Sequence, residues 1–564
     1  MPAQMEARSS HDGLSLTMHR GDEAVLLAFD LEKQRTAHLA GFAVRLITPD
    51  GVSHQLLNRL DFATPITRNT TQEDREFHPS DKAPFQKFRW IHVPTQIVPG
   101  PYTYEVTAMY FANGGTELTA GPTTAASLEL DGTPGDFDRF HLGFTRGFLS
   151  SQAYASRFQN AAIRPAEPTI DFPSDEYQRR WAWLGYHARR LIFDMLAEAH
   201  DDPALSLDVM AYDLSEPDFV RGLQALGPRL RIVIDDSTEH AKSEALEPKA
   251  QQLLETSAGK PNVVRGNFSR YAHNKVMILK RNGTPVKVLT GSTNFSVRGL
   301  YAQANNVLVI DDATVAALYE RVFKQTFTDM TGFRASDLAA DWFEVDRPQM
   351  PPFAVSFAPH LSSDVSLEPV ADAISRAKSS ILYAIMSFGT GTGPVLDALR
   401  HLTADDGVFW FGMRQSSSGI SVIKPDRNVG LFADFAFLKK QVPKPFRAEF
   451  SGGQGQVIHH KFVVIDFNDS NPVVFTGSSN LAAGGEKENG DNLLAIRDAS
   501  IATAYAVEAV RLVDHYQFRV AMQRATTSSP LTLAPDEARW WAPYYDDTHA
   551  KFRDRRLFQR IAPA

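Results

Sequence analysis

The stretch Val457-Ile-His459-His-Lys461-Phe-Val-Val-Ile-Asp466 decides the fold of this chain, because a related stretch occurs earlier at a fixed distance. A shift of 186 residues places Tyr271-Ala-His273-Asn-Lys275 over Val457-Ile-His459-His-Lys461, and the register continues without a gap. Between residues 273–310 and 459–496, twelve of thirty-eight positions are identical, where composition alone gives roughly two or three. The chain therefore contains an internal duplication.

The identical positions include every polar residue type that phosphate chemistry requires. The His-x-Lys pair is repeated, and Gly291-Ser292-Thr-Asn294 falls on Gly477-Ser478-Ser-Asn480. A repeat kept only for its hydrophobic core would preserve mainly apolar positions. Core duplication alone therefore does not explain the repeated His, Lys, Ser and Asn.

The His-x-Lys spacing places two functional side chains on one face, because residues two apart on an extended strand point to the same side. An imidazole is a nucleophile or an acid near neutral pH, and an ammonium neutralises the nonbridging oxygens of a phosphodiester. Asn294 and Asn480 would donate amide hydrogen bonds to the same oxygens. We expect the two sets to meet as a pseudo-twofold pair around one phosphate.

This doubled pattern resembles the phospholipase D superfamily, whose repeated motif is His-x-Lys-x4-Asp followed by Gly-Ser-x-Asn. The resemblance extends from about Gly135 to the C-terminus. It implies an α/β/α sandwich for each half, with no metal and no cofactor. It also implies a covalent phosphohistidine intermediate: one histidine attacks phosphorus, and the other protonates the leaving alcohol and then activates water.

The two copies differ at the aspartate of the motif. The second copy has Asp466 at this position, whereas the first copy has Lys280. Tyrosyl-DNA phosphodiesterases of the same superfamily work with His, Lys and Asn and without this aspartate. The replacement is therefore expected to weaken catalysis without abolishing it.

Related nucleases carry an acidic residue eleven positions beyond each motif asparagine, where it orients an active-site imidazole. That position is Asp491 in the second copy and Asn305 in the first. If the side chain reaches across the twofold, as in those relatives, Asp491 serves His273 and Asn305 serves His459. A carboxylate raises the basicity of an imidazole and fixes its tautomer, so His273 is predicted to be the nucleophile and His459 the acid.

The sequence thus predicts three groups of site residues and no metal ligand. The predicted catalytic residues are His273, Lys275, Asn294, His459, Lys461, Asn480 and Asp491. The predicted substrate-binding residues are Ser292, Ser478 and Asn305, and the predicted supporting residues are Asp466, Gly291 and Gly477.

The 564 residues exceed the size at which one hydrophobic core keeps growing, and the sequence divides into three regions. Residues 1–133 show short alternating runs between turn signals, typical of an immunoglobulin- or fibronectin-like β-sandwich. We expect this all-β accessory domain to precede two pseudo-twofold-related α/β/α halves, residues 134–346 and 347–564. The segment Arg347-Pro-Gln-Met-Pro-Pro352 is the predicted linker between the halves.

Hydrophobic periodicity predicts the individual elements. The predicted strands are residues 24–29, 41–47, 88–93, 102–108, 205–212, 229–235, 380–386 and 408–412. The predicted helices are residues 174–200, 218–226, 367–377, 395–402 and 502–523. The aromatic tail Trp540-Trp-Ala-Pro-Tyr-Tyr545 is expected to be a core or docking strip, because no polar periodicity accompanies it.

The composition excludes several classes of protein. Hydrophobic residues make up 43% and charged residues 22%, which is typical of a globular chain. The absence of cysteine excludes disulfides, thiolate zinc sites and a cysteine nucleophile. Without a signal-like N-terminus or a long apolar run, we expect a soluble cytoplasmic protein, with export by a non-classical route as an alternative. Because both motif copies lie in one chain, we expect a monomer to be active.

The charge distribution favours a local phosphate site over a general polyanion binder. The formal net charge is −8, yet residues 260–298 contain eight Lys or Arg and no Asp or Glu. A second basic run, residues 439–447, precedes the second motif. We expect both runs to line a cleft that attracts phosphate.

Two substrates and one non-enzymatic function fit the sequence. A phospholipid is slightly favoured, with peripheral membrane contact through the apolar side chains of Phe432, Phe435, Phe437 and Phe446. A nuclease acting on DNA or RNA is the alternative, because residues 484–492 resemble the small bacterial endonucleases of the superfamily. The third is a catalytically weak protein that only binds a phosphate ligand and uses the β-sandwich for recognition.

Overall fold

The computed structural model describes residues 5–560 except 72–73, 95–96, 113–116, 131–136, 168, 389–392, 403–406, 417, 425–426, 442 and 451–456. The predicted boundary between residues 133 and 134 lies outside the described residues. The described part forms two four-stranded sheets, a two-stranded pair, a seven-stranded sheet and a nine-stranded sheet.

The described residues of the N-terminal region form ten strands. They are β1 (Glu6–His11), β2 (Leu14–Arg20), β3 (Val25–Leu31), β4 (Leu39–Ile47), β5 (Ser53–Gln55), β6 (Leu57–Asn58), β7 (His78–Pro79), β8 (Arg89–His92), β9 (Pro101–Phe111) and β10 (Leu118–Glu129). Antiparallel pairing gives one sheet in the order β1-β2-β3-β8 and another in the order β10-β9-β4-β5. The four strands predicted here from the sequence are confirmed.

One hydrophobic core fills the space between these two sheets. In β9 the side chains of Tyr102, Tyr104 and Val106 are buried, and the residues between them are partly exposed, as period two requires. They belong to the same apolar cluster as Leu16 of β2 and Leu27 of β3 in the other sheet. The N-terminal sheets are therefore confirmed, whereas an immunoglobulin-like strand order stays a prediction.

The first half of the duplicated part is built on the seven-stranded sheet. Its strands are β11 (Phe140–Phe144), β12 (Leu205–Ala211), β13 (Leu230–Asp235), β14 (Val263–Gly266), β15 (Val276–Arg281), β16 (Thr284–Gly291) and β17 (Asn306–Ile310), in the order β11-β17-β16-β15-β12-β13-β14. Its helices are α1 (Ser151–Phe158), α2 (Gln178–Asp201), α3 (Pro217–Leu226), α4 (Glu247–Ala258), α5 (Val297–Tyr301) and α6 (Ala313–Thr328).

The second half is built on the nine-stranded sheet. Its strands are β18 (Trp342–Val345), β19 (Phe353–Ala358), β20 (Ser380–Ile385), β21 (Phe409–Gln415), β22 (Gly419–Lys424), β23 (Arg427–Asp434), β24 (Lys461–Ile465), β25 (Val473–Gly477) and β26 (Asp491–Ile496), in the order β18-β19-β26-β25-β24-β20-β21-β22-β23. Its helices are α7 (Asp364–Ser375), α8 (Pro394–His401), α9 (Phe435–Gln441), α10 (Ala483–Glu488), α11 (Ala499–Arg524) and α12 (Ala550–Gln559).

The two sheets repeat the same succession of strands. The run β17-β16-β15-β12-β13 corresponds to β26-β25-β24-β20-β21, and each run contains one parallel pair, β12 with β13 and β20 with β21. The intervening helices α3 and α8 make these pairs βαβ units. The duplicated α/β fold predicted from the sequence is therefore present, and the elements predicted for both halves are confirmed in type.

The predicted linker lies inside the second half. Strand β18 pairs antiparallel with β19, from Trp342 opposite Ser356 to Val345 opposite Phe353, so residues 346–352 connect a hairpin. The prediction that Arg347–Pro352 separates the halves is therefore wrong. Prolines cannot donate to a strand ladder, so a proline-rich segment marks a hairpin connection as readily as a linker.

The C-terminal segments pack on the N-terminal sheets. Trp540 is buried, its indole N–H donates to the carbonyl oxygen of Leu39 at 2.8 Å, and its ring lies 5.6 Å from that of Phe88. Tyr544 belongs to the same apolar cluster. The prediction that the aromatic tail is a core or docking strip is confirmed, and the chain end ties the N-terminal region to the second half.

Helix α11 runs through the interior between the N-terminal region and the second half. Buried residues occur around its whole circumference, so it lacks the polar stripe of a surface helix. Arg511 lies 2.7 Å from Glu23 of the N-terminal region and 3.3 Å from Glu508 on its own helix. These buried pairs connect the N-terminal region to the second half.

Candidate active site

The two motif copies face each other at the junction of the halves. Backbone hydrogen bonds connect them directly: the amide of His459 donates to the carbonyl oxygen of Ala304 at 3.1 Å, and the amide of Gly490 donates to that of Tyr271 at 2.8 Å. Each histidine therefore lies beside the loop that follows the Gly-Ser-x-Asn motif of the other half. Lys461 begins β24, whereas Lys275 immediately precedes β15.

His273 contacts a carboxylate supplied by the second half. Its Nδ1 lies 2.7 Å from Oδ1 of Asp491, and the hydroxyl of Ser478 donates to the same oxygen at 2.7 Å. Both side chains of the His–Asp pair are almost fully buried, with 5% and 1% exposed. The carboxylate holds the proton on Nδ1, which leaves Nε2 as the nitrogen available for chemistry.

His459 makes the corresponding contact with an amide of the first half. Its Nδ1 lies 2.8 Å from Oδ1 of Asn305 and 3.0 Å from the carbonyl oxygen of Ser292. The amide of Asn305 donates to the carbonyl oxygen of Gly299 at 2.9 Å, which fixes which end of that amide faces the imidazole. Both partners of Nδ1 are acceptors, so Nδ1 carries the proton and Nε2 is again free. Asp491 and Asn305 thus make the cross-contacts that the sequence predicts.

The pKa values of the two histidines are lowered to different extents. Burial lowers the pKa of His273 below its ordinary value, Lys275 lowers it further, and Asp491 opposes both. Burial, Lys461 and Lys275 hold the pKa of His459 well below its ordinary value. A carboxylate thus faces only one of the two imidazoles.

The two lysines add positive charge at the same place. The ammonium of Lys461 donates to the carbonyl oxygen of His459 at 2.7 Å, and burial followed by repulsion from Lys275 holds its pKa well below its ordinary value. Burial lowers the pKa of Lys275 to about 8, although Asp491 and Asp213 oppose that effect. Two buried ammonium groups beside two imidazoles favour an anionic ligand.

The motif asparagines are placed differently in the two halves. Nδ2 of Asn294 donates one of its two N–H groups to Oδ2 of Asp213 at 2.7 Å. The amide carbonyl oxygens of Asn294 and Asn480 are buried and have no hydrogen-bond partner among the described residues. The second N–H of Asn294 is not used by this bond, and donation from Asn294 to a substrate phosphate stays a prediction.

The motif serines and glycines shape the two loops rather than face open space. The hydroxyl of Ser292 donates to Oδ1 of Asn305 at 2.9 Å, as that of Ser478 does to Asp491. Both serines are fully buried, and each also accepts from the backbone. A Cβ atom on Gly477 would approach a backbone oxygen to 2.3 Å, and one on Gly291 to 2.5 Å, at φ values of +150° and +141°. Ser292, Ser478 and Asn305 therefore belong to the network that orients the histidines, and their role in substrate binding stays a prediction.

The aspartate of the motif lies outside this cluster. Asp466 accepts hydrogen bonds from the backbone amides of Lys378, Ser379 and Ser380 at 2.7 to 3.0 Å, so it fixes the start of β20. In the first half, Lys280 lies 2.8 Å from Asp208 and 3.7 Å from Glu320. Asp466 thus stabilises the fold of the second half, and Lys280 forms ion pairs in the first half. The replacement of the motif aspartate by Lys280 therefore leaves the histidine cluster intact.

The structure adds three charged residues that sequence reasoning missed. Nε2 of His240 lies 2.9 Å from Asp213 and Nδ1 lies 2.7 Å from Asp235, and these carboxylates raise the pKa of His240 to about 10 against the effect of burial. Asp235 also accepts from the backbone amide of Ala272, next to His273, at 2.6 Å. Their position in the sequence could have identified the two aspartates as site residues. Asp213 follows β12 and Asp235 ends β13, and ligands of α/β folds bind at the carboxyl ends of parallel strands.

One group of side chains near the site has the composition of a metal centre. The ligand atoms of Asp213, His240 and Glu247 lie within 4.8 Å of one another. Both ring nitrogens of His240 are already hydrogen-bonded, and Glu247 accepts from the amide of Leu214 at 3.2 Å. We therefore describe the group as a hydrogen-bonded charge network.

Three of the eight cationic residues in the predicted basic run 260–298 are paired with carboxylates. Lys287 lies 2.5 Å from Glu198 and Arg281 lies 2.5 Å from Asp202, in addition to the pairing of Lys280. These acidic partners lie far away in sequence, so the expectation that residues 260–298 form one phosphate-attracting run is wrong for these three. The ammonium of Lys275 remains directed to the histidine cluster.

The predicted apolar surface is also reduced. Phe435, Phe437 and Phe446 are buried in hydrophobic cores, as their aromatic side chains favour. Phe432, with 36% exposed, is the one candidate of this set that is open to solvent. No helix in the described part of the chain is both long enough and apolar enough to cross a membrane.

Comparison with known proteins agrees with this arrangement. The chain matches the family model described as cardiolipin synthase, PLD-like domain, over residues 192–327 and 370–513. A phospholipase D of Rickettsia conorii is 32% identical over 127 residues, 22% of this chain and 58% of the relative. A mitochondrial cardiolipin hydrolase of Xenopus laevis is 28% identical over 127 residues, 22% of this chain and 55% of the relative. The chain spans little more than half the length of these curated relatives.

Two solved structures are similar over parts of the chain. Nuc of Salmonella typhimurium, a phospholipase D family member, is 24% identical with a TM-score of 0.20 and covers 24% of this chain and 85% of its own. A phosphatidylserine synthase of Haemophilus influenzae is 12% identical with a TM-score of 0.41 and covers 67% and 94%. From the family match and the curated relatives, this chain belongs to the phospholipase D superfamily.

Proposed function

We propose that this protein is a phosphodiesterase that works through a phosphohistidine on His273. The carrying observation is that each motif imidazole has its Nδ1 fixed by the other half and its Nε2 free, beside two buried ammonium groups. That arrangement supplies a nucleophile, an acid and charge neutralisation for one phosphate without a metal. Binding alone would not require two imidazoles oriented in this way.

The reaction would proceed in two displacements. Nε2 of His273 attacks phosphorus, a P–N bond forms, the P–O bond to the alcohol breaks, and Nε2–H of His459 gives its proton to the departing oxygen. In the second step His459 takes a proton from water, whose oxygen attacks phosphorus, and the P–N bond breaks. The products are an alcohol and a phosphomonoester, and His459 has regained its proton.

The partners of the imidazoles support this division of roles. Phosphorylation makes the ring of His273 cationic, and the Asp491 carboxylate at 2.7 Å stabilises that charge. His459 faces only the neutral Asn305, so its imidazolium is less stabilised and is the stronger acid. Because the pKa of His459 is low in the free protein, the bound phosphodiester anion must raise it for the proton to be present.

The substrate that we favour is a phospholipid, whose head group would be the leaving alcohol. The names of the curated relatives, phospholipase D and cardiolipin hydrolase, support this choice, as does the net charge of −8, which disfavours a nucleic-acid backbone. Exposed Phe432 would serve at a membrane surface. We also propose that the N-terminal sheets form an immunoglobulin-like accessory domain. The two halves would pair about a pseudo-twofold axis, and a monomer would be active.

A direct test combines two substrates and two variants. We expect release of the head-group alcohol from phosphatidylcholine or cardiolipin vesicles, in the presence of EDTA, and its loss in both His273→Ala and His459→Ala. If the protein cleaves single-stranded DNA and leaves the vesicle lipids uncleaved, it is a nuclease instead. Turnover that survives both changes would contradict the enzyme mechanism and leave a phosphate-binding protein.

The role of each histidine has its own measurement. Rapid quenching should trap labelled phosphate on His273 in the wild-type protein and in His459→Ala with an activated substrate. In the variant the second step slows because no group activates water. Label on His459 would reverse the assignment.

A further inference from the structure

A second group of buried cationic and polar side chains lies on α11, away from the motif histidines. Arg519 is fully buried, and its Nη1 donates to the carbonyl oxygen of Gln441 at 2.9 Å. Among the described residues, its Nε and Nη2 have no hydrogen-bond partner and it forms no ion pair. A guanidinium carries five N–H donors, so most of its capacity is unused.

Neighbouring side chains on the same helix have unmet hydrogen bonds as well. The hydroxyl of Tyr516 and Nε2 of His515 are buried and have no hydrogen-bond partner in the part of the chain that the structure describes. His515 and Arg519 are four residues apart and therefore lie on one face of α11. This face thus presents donors from Arg519 and Tyr516 and a ring nitrogen from His515.

The electrostatic neighbours of Arg519 are themselves cationic. Burial, followed by repulsion from Arg75 and Arg59, holds the pKa of Arg519 well below its ordinary value. Both of these arginines come from the N-terminal region, and the guanidinium of Arg59 lies 5.0 Å from the ring centre of Phe518 on α11. Three arginines therefore meet where the N-terminal region packs on the second half.

Such an arrangement requires a counterion. Burying an uncompensated ion costs several kcal/mol, and buried polar groups in native proteins nearly always have a partner. The described residues supply no carboxylate to Arg519. A small anion that accepts from Nε and Nη2 would meet the unmet donors and relieve the repulsion among the three arginines.

We propose that Arg519, Tyr516 and His515 form a binding site for a small oxyanion, with inorganic phosphate as the best fit, at the junction of α11 and the N-terminal region. A tetrahedral oxyanion accepts two parallel bonds from the guanidinium and a third from the Tyr516 hydroxyl. Exposed Lys439 and Lys440 on α9, the helix that ends at Gln441, would attract the anion. The bound ion would join the N-terminal region to the second half.

Equilibrium dialysis of the full-length protein against radiolabelled phosphate tests this site. Because the motif histidines also bind phosphate in the proposed function, the expected stoichiometry is about two ions per chain for the wild type and about one for Arg519→Gln, with activity retained. Lys461→Ala should lose the other ion and keep the one at Arg519. A wild type that binds one ion, lost in Lys461→Ala, would overturn the inference and leave the proposed function standing.

Two further measurements keep the test decisive if Arg519→Gln does not fold. Tyr516→Phe removes only the hydroxyl and should weaken phosphate binding at this site about tenfold without changing the motif site. Phosphate should raise the melting temperature of Lys461→Ala more than chloride does. Equal effects of the two salts, or unchanged affinity in Tyr516→Phe, would show that water fills the site. In sedimentation with phosphatidic acid vesicles, Arg519→Gln should bind the vesicles as the wild type does. Weaker vesicle binding in Arg519→Gln would show that the ligand at Arg519 is a lipid phosphate instead.

Discussion

Replacing Asp491 with Asn is the sharpest test of how the two histidines divide the chemistry. The carboxylate lies 2.7 Å from Nδ1 of His273, and only 1% of the Asp491 side chain is exposed. Asn has the same shape and keeps an acceptor oxygen, so the substitution removes one charge with little change in packing. It also reproduces the other half of the site, where Asn305 faces His459.

The expected loss follows from the geometry. The charge centres of an imidazolium and a carboxylate in contact are about 4 Å apart. At an effective dielectric constant of about 20, two opposite unit charges at this distance attract by about 4 kcal/mol. The amide oxygen that remains recovers part of this energy. We therefore expect a transition state for phosphorylation of His273 that is about 2 to 3 kcal/mol less stable, or roughly 30- to 160-fold lower kcat/KM.

The assay is the pH dependence of kcat/KM with bis(p-nitrophenyl) phosphate. The pKa of His273 already lies below its ordinary value, and Asp491 is the group that raises it. Its loss lowers that pKa further, so the acid limb should move to lower pH. The reciprocal change Asn305→Asp should raise the pKa of His459 and move the alkaline limb to higher pH. An unchanged kcat/KM in Asp491→Asn, or an acid limb that moves upward, would refute this reasoning.

Three further predictions follow from single contacts. Asp213→Ser removes a carboxylate that raises the pKa of Lys275, so that pKa should fall below about 8 and the alkaline limb of the pH–rate profile should move to lower pH. An alkaline limb that stays in place would argue against this coupling. Gly477→Ala should lower the free energy of unfolding by about 1 to 3 kcal/mol, because its Cβ would lie 2.3 Å from a backbone oxygen, whereas Gly484→Ala, with no atom within 4 Å, is the matched control and should be close to neutral. Trp540→Ala should cost about 3 to 5 kcal/mol in chemical denaturation, since the ring is 9% exposed within the N-terminal core, and a loss below about 1 kcal/mol would show that the tail is not part of that core.

The sequence predicts the parts of the site that are duplicated. Because His273 and His459 recur at one offset with their Gly-Ser-x-Asn loops, each imidazole can be placed before a buried strand and beside the loop of the other half. The contacts of Asp491 and Asn305 follow from the same register. Local patterning also suffices for the strands and helices, whose apolar periodicity is strong.

The parts that sequence reasoning missed depend on partners distant in the chain. Lys280 and Lys287 belong to a run without acidic residues, yet Asp208 and Glu198 neutralise them from β12 and α2. Nothing within the run itself indicates these partners, because strand pairing alone brings them together. The same holds for residues 346–352, whose prolines fit a hairpin and a linker equally well.

The asymmetry between the halves has a physical consequence for the order of events. In the first half Asp213, held by His240, partly neutralises Lys275 and accepts one N–H of Asn294. In the second half the ammonium of Lys461 has a backbone oxygen at 2.7 Å and the sulfur of Met386 at 4.0 Å. Asp491 and Asp213 act on Lys461 as well, yet burial and repulsion from Lys275 still hold its pKa well below its ordinary value. A phosphodiester anion therefore gains most by entering on the side of Lys461, where it supplies the missing negative charge. In the proposed mechanism, an anion at that position would raise the pKa of the adjacent His459 and leave His273, already oriented by Asp491, to attack phosphorus.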